Sequence, residues 1–427
     1  MFNKLGKTQY LFLLLLTLAV VIRIWASLAI LELRANPSLL DMDEQEYYQL
    51  AGNLLNGNYE FNSRRTLGHV LVLAAYRFIT FDNFFATQLL PIIVFSLSAP
   101  LMYLLVRRLI GNNLIAAIVG FLVIFWPPYI YYGNSLYSET TALPIFLGLL
   151  ILLPRGSLLT PKADGNFFRW ILCGALLGLC ILIRPMYLLF PPFAALIIFL
   201  EENRWRKALS HIALFTAGCC LIVLPWSIYM TTNAGIPILV SANGGETIAG
   251  GLNPTLIKEG FQVATAPDGR QTWTGPGKWL NIADTSYLNK VELNLPYAQQ
   301  DALLKKRTFN WIFQNPGAAL YLEAAKILYM WGGYPLKLDK QTWLGNIPTM
   351  ISLALSVAAI IRFRHNFRQL SRFWVLPIFV SGVALISWGS WRFRQPGDLG
   401  ILLLSTLFLA SLLIKPSKVL QQLDKSS

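Results

Sequence analysis

The residues best suited to chemistry are carboxylates in two polar segments that each adjoin an apolar run. The stretch "LLDMDEQEYYQLAGNLLNGNY", residues 39–59, carries four acidic side chains, among them Asp43 and Glu44. The second segment, "YYGNSLYSETTALP", contains Glu139. A positioned carboxylate accepts the proton of an attacking group as a general base. The sequence therefore indicates acid–base chemistry at a site to which both segments contribute.

Basic residues lie in segments that we expect to face the same compartment as these carboxylates. Arg23 lies deep in the first apolar run, and Arg184 lies between two later runs. An ionisable group inside a membrane costs free energy, so such residues usually have a function. Guanidinium groups suit the geometry of phosphate. Carboxylates opposite such cations suit transfer of a group from a lipid phosphate to a nucleophile. The outer cations are Arg64 and Arg65, Lys326, and Arg392 and Arg394 in "WGSWRFRQPGDLG".

The composition indicates an integral membrane protein. Of 427 residues, 55% are hydrophobic and 13% are charged, and the mean hydropathy is +0.52. A soluble domain carries about 25% charged residues. We attribute the net charge of +14 to cytoplasmic loops rich in Lys and Arg, and we expect no nucleic-acid partner. The four cysteines lie in apolar runs, and the three histidines lack metal-ligand spacing.

Ten apolar runs are candidates for helices that cross the membrane, which requires about 20 residues. The first starts at the basic N-terminus and is too long for a cleaved signal peptide. We divide the chain into a transmembrane module with the acidic external loops (1–229), an external region with interfacial helices (230–343) and C-terminal transmembrane helices (344–427). The other runs lie near 84–106, 112–132, 140–154, 168–183, 185–200, 208–229, 344–361, 372–388 and 398–414.

The stretch "LGHVLVLAAYRFIT", residues 67–80, decides the topology. It is short for a span. If it does not cross, every short basic loop is cytoplasmic, as the positive-inside rule requires, and residues 34–83, 133–139 and 230–343 lie outside. If it crosses, the two acidic loops lie on opposite sides. We therefore predict ten spans, cytoplasmic termini, and residues 67–80 at the outer membrane surface.

The acidic residues also have purely structural explanations. Apolar residues from Tyr47 to Leu55 recur at three and four positions, which predicts an amphipathic helix. Asp43 and Glu44 would then lie at its N-terminus, where the helix dipole favours negative charge. Glu139 would likewise contribute to the start of the next helix.

Six segments resemble the membrane glycosyltransferases of the GT-C fold, in the branch similar to protein O-mannosyltransferases and the lipid A aminoarabinose transferase (glycosyltransferase 39-like). "DEQEYYQLAGNLLNG" (43–57) resembles the first external loop with its Asp-Glu-x-x-Tyr. "WPPYIYYGNSLYSETTALP" (126–144) resembles the second. "LLGLCILIRP" (176–185) resembles a span that ends in Arg-Pro. Later landmarks are similar to residues 224–254, 315–331 and 391–404. The order and spacing of these segments, rather than any one motif, carry the resemblance.

The sequence departs from the family pattern at three places. Glu46 stands where some relatives have Arg, "RRTLG" (64–68) stands where many have Pro, and Gly397 and Asp398 follow the Arg-Phe-Arg-Gln-Pro run. These departures leave the donor and the phosphate ligands open.

The resemblance implies an all-α polytopic membrane protein with about ten transmembrane helices, juxtamembrane helices in the first external loop and a small external region. It implies a sugar donor on an undecaprenyl or dolichyl phosphate, in the plasma (inner) membrane, with catalysis on the periplasmic or extracellular face. It implies Asp43 as the catalytic carboxylate, with Glu44 beside it and Glu139 as the second acid. We expect Tyr47 and the outer cations Arg64, Arg65, Lys326, Arg392 and Arg394 to bind the substrate and its phosphate.

The expected reaction is attack of an acceptor hydroxyl, on a glycan, lipid or protein, on the anomeric carbon, with inversion. Glu139 would position the acceptor or share a divalent cation with Asp43; the spacing allows a cation without establishing it. The alternatives are a flippase or transporter of lipid-linked sugars, and a ligase. A transporter normally shows internal repeats and helices broken at the midplane, and the sequence shows no repeat. The sugar and the acceptor stay open.

Overall fold

The computed structural model describes residues 6–29, 33–58, 61–156, 166–259, 263–265, 271–273, 288–289, 291–332, 340–387 and 389–414. The end of the predicted stretch 39–59, parts of the external region 230–343 and the predicted C-terminal segment beyond 414 lie outside these ranges.

The described part of the chain is almost entirely α-helical, with a short antiparallel hairpin of β1 (Val263–Thr265) and β2 (Gln271–Trp273). The first helices are α1 (Lys7–Ala29), α2 (Met42–Leu55), α3 (Leu67–Ile79), α4 (Phe84–Ser96), α5 (Ser98–Ile110), α6 (Asn113–Phe125), α7 (Pro127–Tyr132), α8 (Glu139–Leu152) and α9 (Phe167–Ile183). The others are α10 (Pro191–Glu201), α11 (Trp205–Ala234), α12 (Gly244–Gly251), α13 (Pro254–Glu259), α14 (Tyr297–Gln314), α15 (Pro316–Met330), α16 (Lys340–Arg362), α17 (Ser371–Ile386) and α18 (Trp391–Leu413).

Helices form at all ten predicted spans, because backbone polar groups in a lipid bilayer must be satisfied within the segment. In the described ranges, α1, the α4–α5 stretch, α11 and α18 have the length and composition to cross a membrane, and seven shorter helices are also apolar. The prediction of an all-α polytopic membrane protein is confirmed. The predicted first-loop helices are α2 and α3; whether α3 crosses stays a prediction, as does the division at 229 and 343.

Proline and capping residues explain where the helices depart from the predicted spans. The run 112–132 divides at Trp126, because Pro127 begins the separate helix α7. The run 398–414 begins seven residues earlier, at Trp391, where the Ser390 side chain accepts the backbone N–H of Arg392. This early start places Arg392 in the first turn of α18 instead of in a loop.

Helices α9 and α11 approach each other through glycines. A Cβ atom at Gly174 would lie 1.9 Å from the carbonyl oxygen of Phe215, and one at Gly218 would lie 2.1 Å from that of Ile171. Small residues allow membrane helices to pack backbone to backbone. The close packing fixes α9, and Arg184 directly follows its last residue.

Candidate active site

Ends of helices from distant parts of the sequence meet around two carboxylates. Asp43 lies in the first turn of α2, and Glu139 is the first residue of α8. Arg65 precedes α3, Arg184 follows α9, and Arg392 lies in the first turn of α18. The helical scaffold therefore brings the two predicted acids together with three arginines.

Asp43 accepts hydrogen bonds from two guanidinium groups. Its Oδ1 lies 2.6 Å from Nη2 of Arg65, and its Oδ2 lies 2.7 Å from Nη1 of Arg392. Burial by itself raises the pKa of the Asp43 carboxyl, but the charges and hydrogen bonds of Arg392 and Arg65 outweigh burial and hold this pKa well below its usual range. Asp43 is therefore a firmly ionised carboxylate with low proton affinity in this arrangement.

The buried side chain of Glu139 contacts two guanidinium groups, those of Arg184 and Arg392. Nη1 of Arg184 lies 2.6 Å from Oε2 of Glu139, and the same nitrogen donates to the Ser138 hydroxyl at 3.0 Å. Nε of Arg392 donates to Oε1 of Glu139, and the Arg392 guanidinium lies 3.8 Å from the centroid of the Tyr137 ring. Arg392 thus bridges the carboxylates of Asp43 and Glu139.

The contacts continue from Asp43 along α2 to the external region. Glu46 accepts from Nε of Arg65 at 2.8 Å, and Arg64 lies 3.4 Å from Glu46 and 2.8 Å from Glu246 on α12. We call this series the ion-pair network. Carboxylates and guanidinium groups alternate along it in the order Arg184, Glu139, Arg392, Asp43, Arg65, Glu46, Arg64 and Glu246.

The network changes the interpretation of the outer arginines. The sequence suggested cations that await an anionic ligand, whereas Arg64, Arg65 and Arg392 are paired with carboxylates. The pairing holds the guanidinium groups in place before any ligand arrives. A buried Nη2 of Arg184 makes no hydrogen bond within the described ranges, so Arg184 retains a donor for a further oxygen.

Glu44 and Tyr47, which also belong to α2, make contacts beside the network. Glu44 is buried and accepts the backbone N–H of Leu136 at 2.7 Å, which ties α2 to the loop before α8. Burial raises the pKa of the Glu44 carboxyl. The Tyr47 ring lies 5.0 Å from the Arg65 guanidinium and meets the His69 ring edge-on at 4.6 Å. Glu44 therefore links α2 to the loop before α8, while Tyr47 packs against Arg65.

The structure does not bring Lys326 and Arg394 to the network. Lys326 is 1% exposed, lies 3.1 Å from Glu323 and donates to the Ser387 carbonyl at 2.9 Å. Arg394 is fully buried, with Nε 2.8 Å from Asp398. Residues two positions apart on a helix point to nearly opposite sides, so Arg394 faces away from the site that Arg392 reaches.

With Arg392 in this position, the two acids do not present their oxygens to a shared divalent cation. Nη1 of Arg392 lies 2.7 Å from Asp43, and its Nε and Nη2 contact Glu139, so a guanidinium takes the place between the carboxylates. Within the described ranges no group of three or more His, Cys, Asp or Glu side chains could hold a metal. We derive no step through a metal ion.

Sequence reasoning did not include Glu46 or Glu246 among the site residues, and it selected Arg184 only because this residue lies between two apolar runs. A signal for Glu46 was present, because it follows Asp43 by three positions and therefore shares a helix face with it. Glu246 is 182 residues from Arg64, and no local spacing links the two.

Ionisation of Asp301, in the external region, should make the free energy of unfolding depend on pH. Its Oδ1 accepts the backbone N–H of Glu246 at 2.8 Å, and burial raises the pKa of Asp301 from 3.8 to about 6. The folded protein holds this proton more tightly than the unfolded chain does. The resulting stability is present at low pH and is lost as the pH rises from about 4 through about 6.

We expect Asp301→Asn, which keeps the acceptor oxygen but cannot ionise, to remove this pH dependence. The free energy of unfolding of the variant relative to the wild type should rise between pH 4 and pH 6 and then level off. The rise is limited to about 3 kcal/mol, at about 1.4 kcal/mol per pKa unit. Unfolding of both purified proteins in detergent across this pH range measures it, and parallel curves would contradict the assignment.

Comparisons with known proteins agree with this architecture. No family model matches the sequence, and no curated protein matches it. The apo crystal structure of the Archaeoglobus fulgidus oligosaccharyltransferase matches at 16% identity and a TM-score of 0.55, covering 98% of this chain and 52% of that one. The structure of oligosaccharyltransferase AglB from Archaeoglobus fulgidus with an inhibitory peptide and a dolichol-phosphate matches at 16% identity and a TM-score of 0.54, with the same coverage.

This chain spans about half the length of those oligosaccharyltransferase structures. ArnT from Cupriavidus metallidurans bound to undecaprenyl phosphate also matches over 95% of this chain and 79% of that one. Its 13% identity and TM-score of 0.44 are too low to support an inference. The match to the oligosaccharyltransferase over almost the whole of this chain shows a shared arrangement of helices. This polytopic membrane protein therefore has the GT-C fold of membrane glycosyltransferases.

Proposed function

We propose that this chain is a membrane glycosyltransferase that moves a sugar from a polyprenyl-phosphate donor to an acceptor hydroxyl on the non-cytoplasmic face of the plasma (inner) membrane. The observation that carries the proposal is the bridge that Arg392 forms between Asp43 and Glu139, within a GT-C fold. It places a carboxylate that can receive a proton beside guanidinium groups that can pair with a leaving phosphate.

The phosphate of the donor is assigned to Arg392 and Arg184. The buried Nη2 of Arg184 has no hydrogen-bond partner among the described residues, and a buried guanidinium nitrogen left unpaired is unfavourable. A phosphate oxygen at this position would satisfy it. Pairing of the phosphate charge makes the carrier a better leaving group when the bond to the sugar breaks.

Arg392 couples phosphate binding to the basicity of Asp43. While both Arg65 and Arg392 contact Asp43, its carboxylate is a weak base. A phosphate that draws Arg392 away leaves Asp43 with one cationic partner, and its proton affinity rises. Asp43 therefore gains strength as a base when a donor is in place.

The proposed reaction is a single displacement. The oxygen of the acceptor hydroxyl forms a bond to the anomeric carbon, and the bond from that carbon to the phosphate oxygen breaks. The electron pair of the broken bond stays on the phosphate, and the hydroxyl proton passes to Asp43. Attack opposite the leaving group inverts the anomeric centre. Glu139, held by Arg184, positions Arg392 or the acceptor.

A transfer assay in membranes tests the proposal against its alternatives. Membranes from cells that express the full chain are supplied with radiolabelled polyprenyl-phosphate sugars, both hexosyl and pentosyl. A transferase releases free carrier and places the label on a new acceptor. A flippase or transporter leaves the lipid-linked sugar intact. Dependence on a diphosphate-linked oligosaccharide would instead identify a ligase.

Arg392→Lys is expected to reduce transfer by roughly 10²–10³-fold, the range for loss of one preorganised donor at a developing negative charge. Lysine keeps the charge but cannot contact Asp43 and Glu139 together in the planar geometry of a guanidinium. Arg307→Lys is the matched control, since Arg307 pairs with Glu292 outside the network. Similar activity of both variants at equal expression would contradict the role of Arg392.

A further inference from the structure

A second basic site lies at the other end of α18. A shallow cavity of about 490 Å³, open to the surface, is lined by Ala358, Ile361, Arg362, Arg364, His365 and Phe408. Phe408 lies sixteen residues beyond Arg392 on α18, about 24 Å along the helix axis at 1.5 Å per residue. This distance is close to the thickness of a bilayer core, so the cavity lies near the opposite membrane surface from the ion-pair network.

The lining of the cavity combines two arginines and a histidine with an apolar wall. Arg362 ends α16, and Arg364 and His365 belong to the 3₁₀ turn that follows it. Nη2 of Arg362 donates to the Ser411 carbonyl at 3.1 Å, which orients its guanidinium toward the end of α18. The other lining residues are apolar, and none is acidic. The cavity therefore favours a ligand that is anionic at one end and apolar beside it.

Exposed apolar residues continue from the cavity along the membrane-facing sides of α16 and α18. Val357 is 52% exposed and lies one turn before Ile361, which is 66% exposed. On α18, Leu412 is 61% exposed and lies one turn after Phe408. Residues four positions apart share a helix face. An acyl chain can therefore lie along this surface while a headgroup phosphate stays at the cations.

We propose that this cavity binds an anionic phospholipid, with its phosphate at Arg362, Arg364 and His365 and an acyl chain against Ile361 and Phe408. Basic pockets between membrane helices bind anionic headgroups in this way. Because the cavity joins α16 to α18, the lipid braces the helix whose first turn carries Arg392. The binding site itself stands independently of the proposed reaction.

The test is native mass spectrometry of the full chain in detergent, with phosphatidylglycerol, phosphatidylcholine or inorganic phosphate added. The wild type should retain phosphatidylglycerol in preference to phosphatidylcholine. The double variant Arg362→Gln/Arg364→Gln should bind phosphatidylglycerol roughly 25-fold more weakly, from about fivefold per cation near an anionic lipid. The matched control is Arg204→Gln/Arg206→Gln, which removes the same charge at exposed positions at the start of α11.

Three outcomes would overturn the proposal: equal retention of the two lipids by the wild type, an equal loss in the control variant, and inorganic phosphate competing at the concentration of the lipid. The last result would identify a site for free phosphate. If the double variant does not fold, the single variant Arg364→Gln is measured instead, because Arg364 is exposed beyond the end of α16. Unchanged phosphatidylglycerol binding in that variant would equally reject the site.

Discussion

Asp43→Asn is expected to reduce sugar transfer by roughly 10²–10⁴-fold, the range for loss of a positioned general base. Asparagine has nearly the shape of aspartate, so α2 should persist, but its NH2 group cannot accept from a guanidinium and one of the two arginine contacts is lost. Its amide cannot accept the proton of the acceptor hydroxyl, and it no longer offers a negative charge to Arg65 and Arg392. The measurement is release of free carrier from radiolabelled polyprenyl-phosphate sugar in membranes.

Asp82→Asn is the matched control for this change. Asp82 pairs with Arg77 just after α3, and its side chain is 56% exposed, so the control alters an aspartate–arginine pair outside the network. It should retain close to wild-type transfer. Near-normal turnover of Asp43→Asn at normal expression would reject Asp43 as the base. The transferase proposal would then be decided by the transfer assay of the wild-type chain.

The helices of this protein were largely predictable because an apolar run that crosses a bilayer must fold as a helix. A span must satisfy its own backbone hydrogen bonds, so hydropathy alone locates helices such as α1, α9 and α11. Local chemistry also explains the division between α6 and α7, since Pro127 suits the first turn of a helix and disrupts the interior of one.

The orientation of side chains in the site was harder to predict, since it depends on the residue at which each helix begins. A loop that contained both Arg392 and Arg394 would allow both to reach one ligand. Capping of α18 by Ser390 instead makes both residues helical, and their two-residue separation then turns them to opposite sides. A shift of a few residues in a helix boundary thus decides which arginine meets Asp43.

Pairing between distant segments was beyond sequence reasoning. Glu246 contacts Arg64 only because α12 packs beside the first external loop, and this packing depends on the whole arrangement of helices. The same holds for Arg184. Its position between two apolar runs indicated a functional residue but did not indicate Glu139 as its partner. The ion-pair network is a property of the assembled fold rather than of any one motif.

A buried ion pair at the junction of α8, α10 and α17 should contribute strongly to folding. The Arg372 guanidinium contacts both oxygens of Glu201, at 2.7 and 2.5 Å, and the two side chains are 0% and 2% exposed. Arg372 also donates to the carbonyls of Leu150, Leu153 and Pro154 at 2.8–3.1 Å. Removal of one partner leaves the other charge buried without compensation.

Arg372→Ala is therefore expected to lower the free energy of unfolding by about 3–5 kcal/mol. Arg307→Ala supplies the comparison, because Arg307 also contacts both oxygens of a glutamate, Glu292, but its side chain is 35% exposed. Solvent screening limits that pair to about 0–1 kcal/mol. Unfolding of both variants in the same detergent measures the difference. Equal losses would show that burial does not set the contribution of these pairs, because each arginine contacts both oxygens of its glutamate.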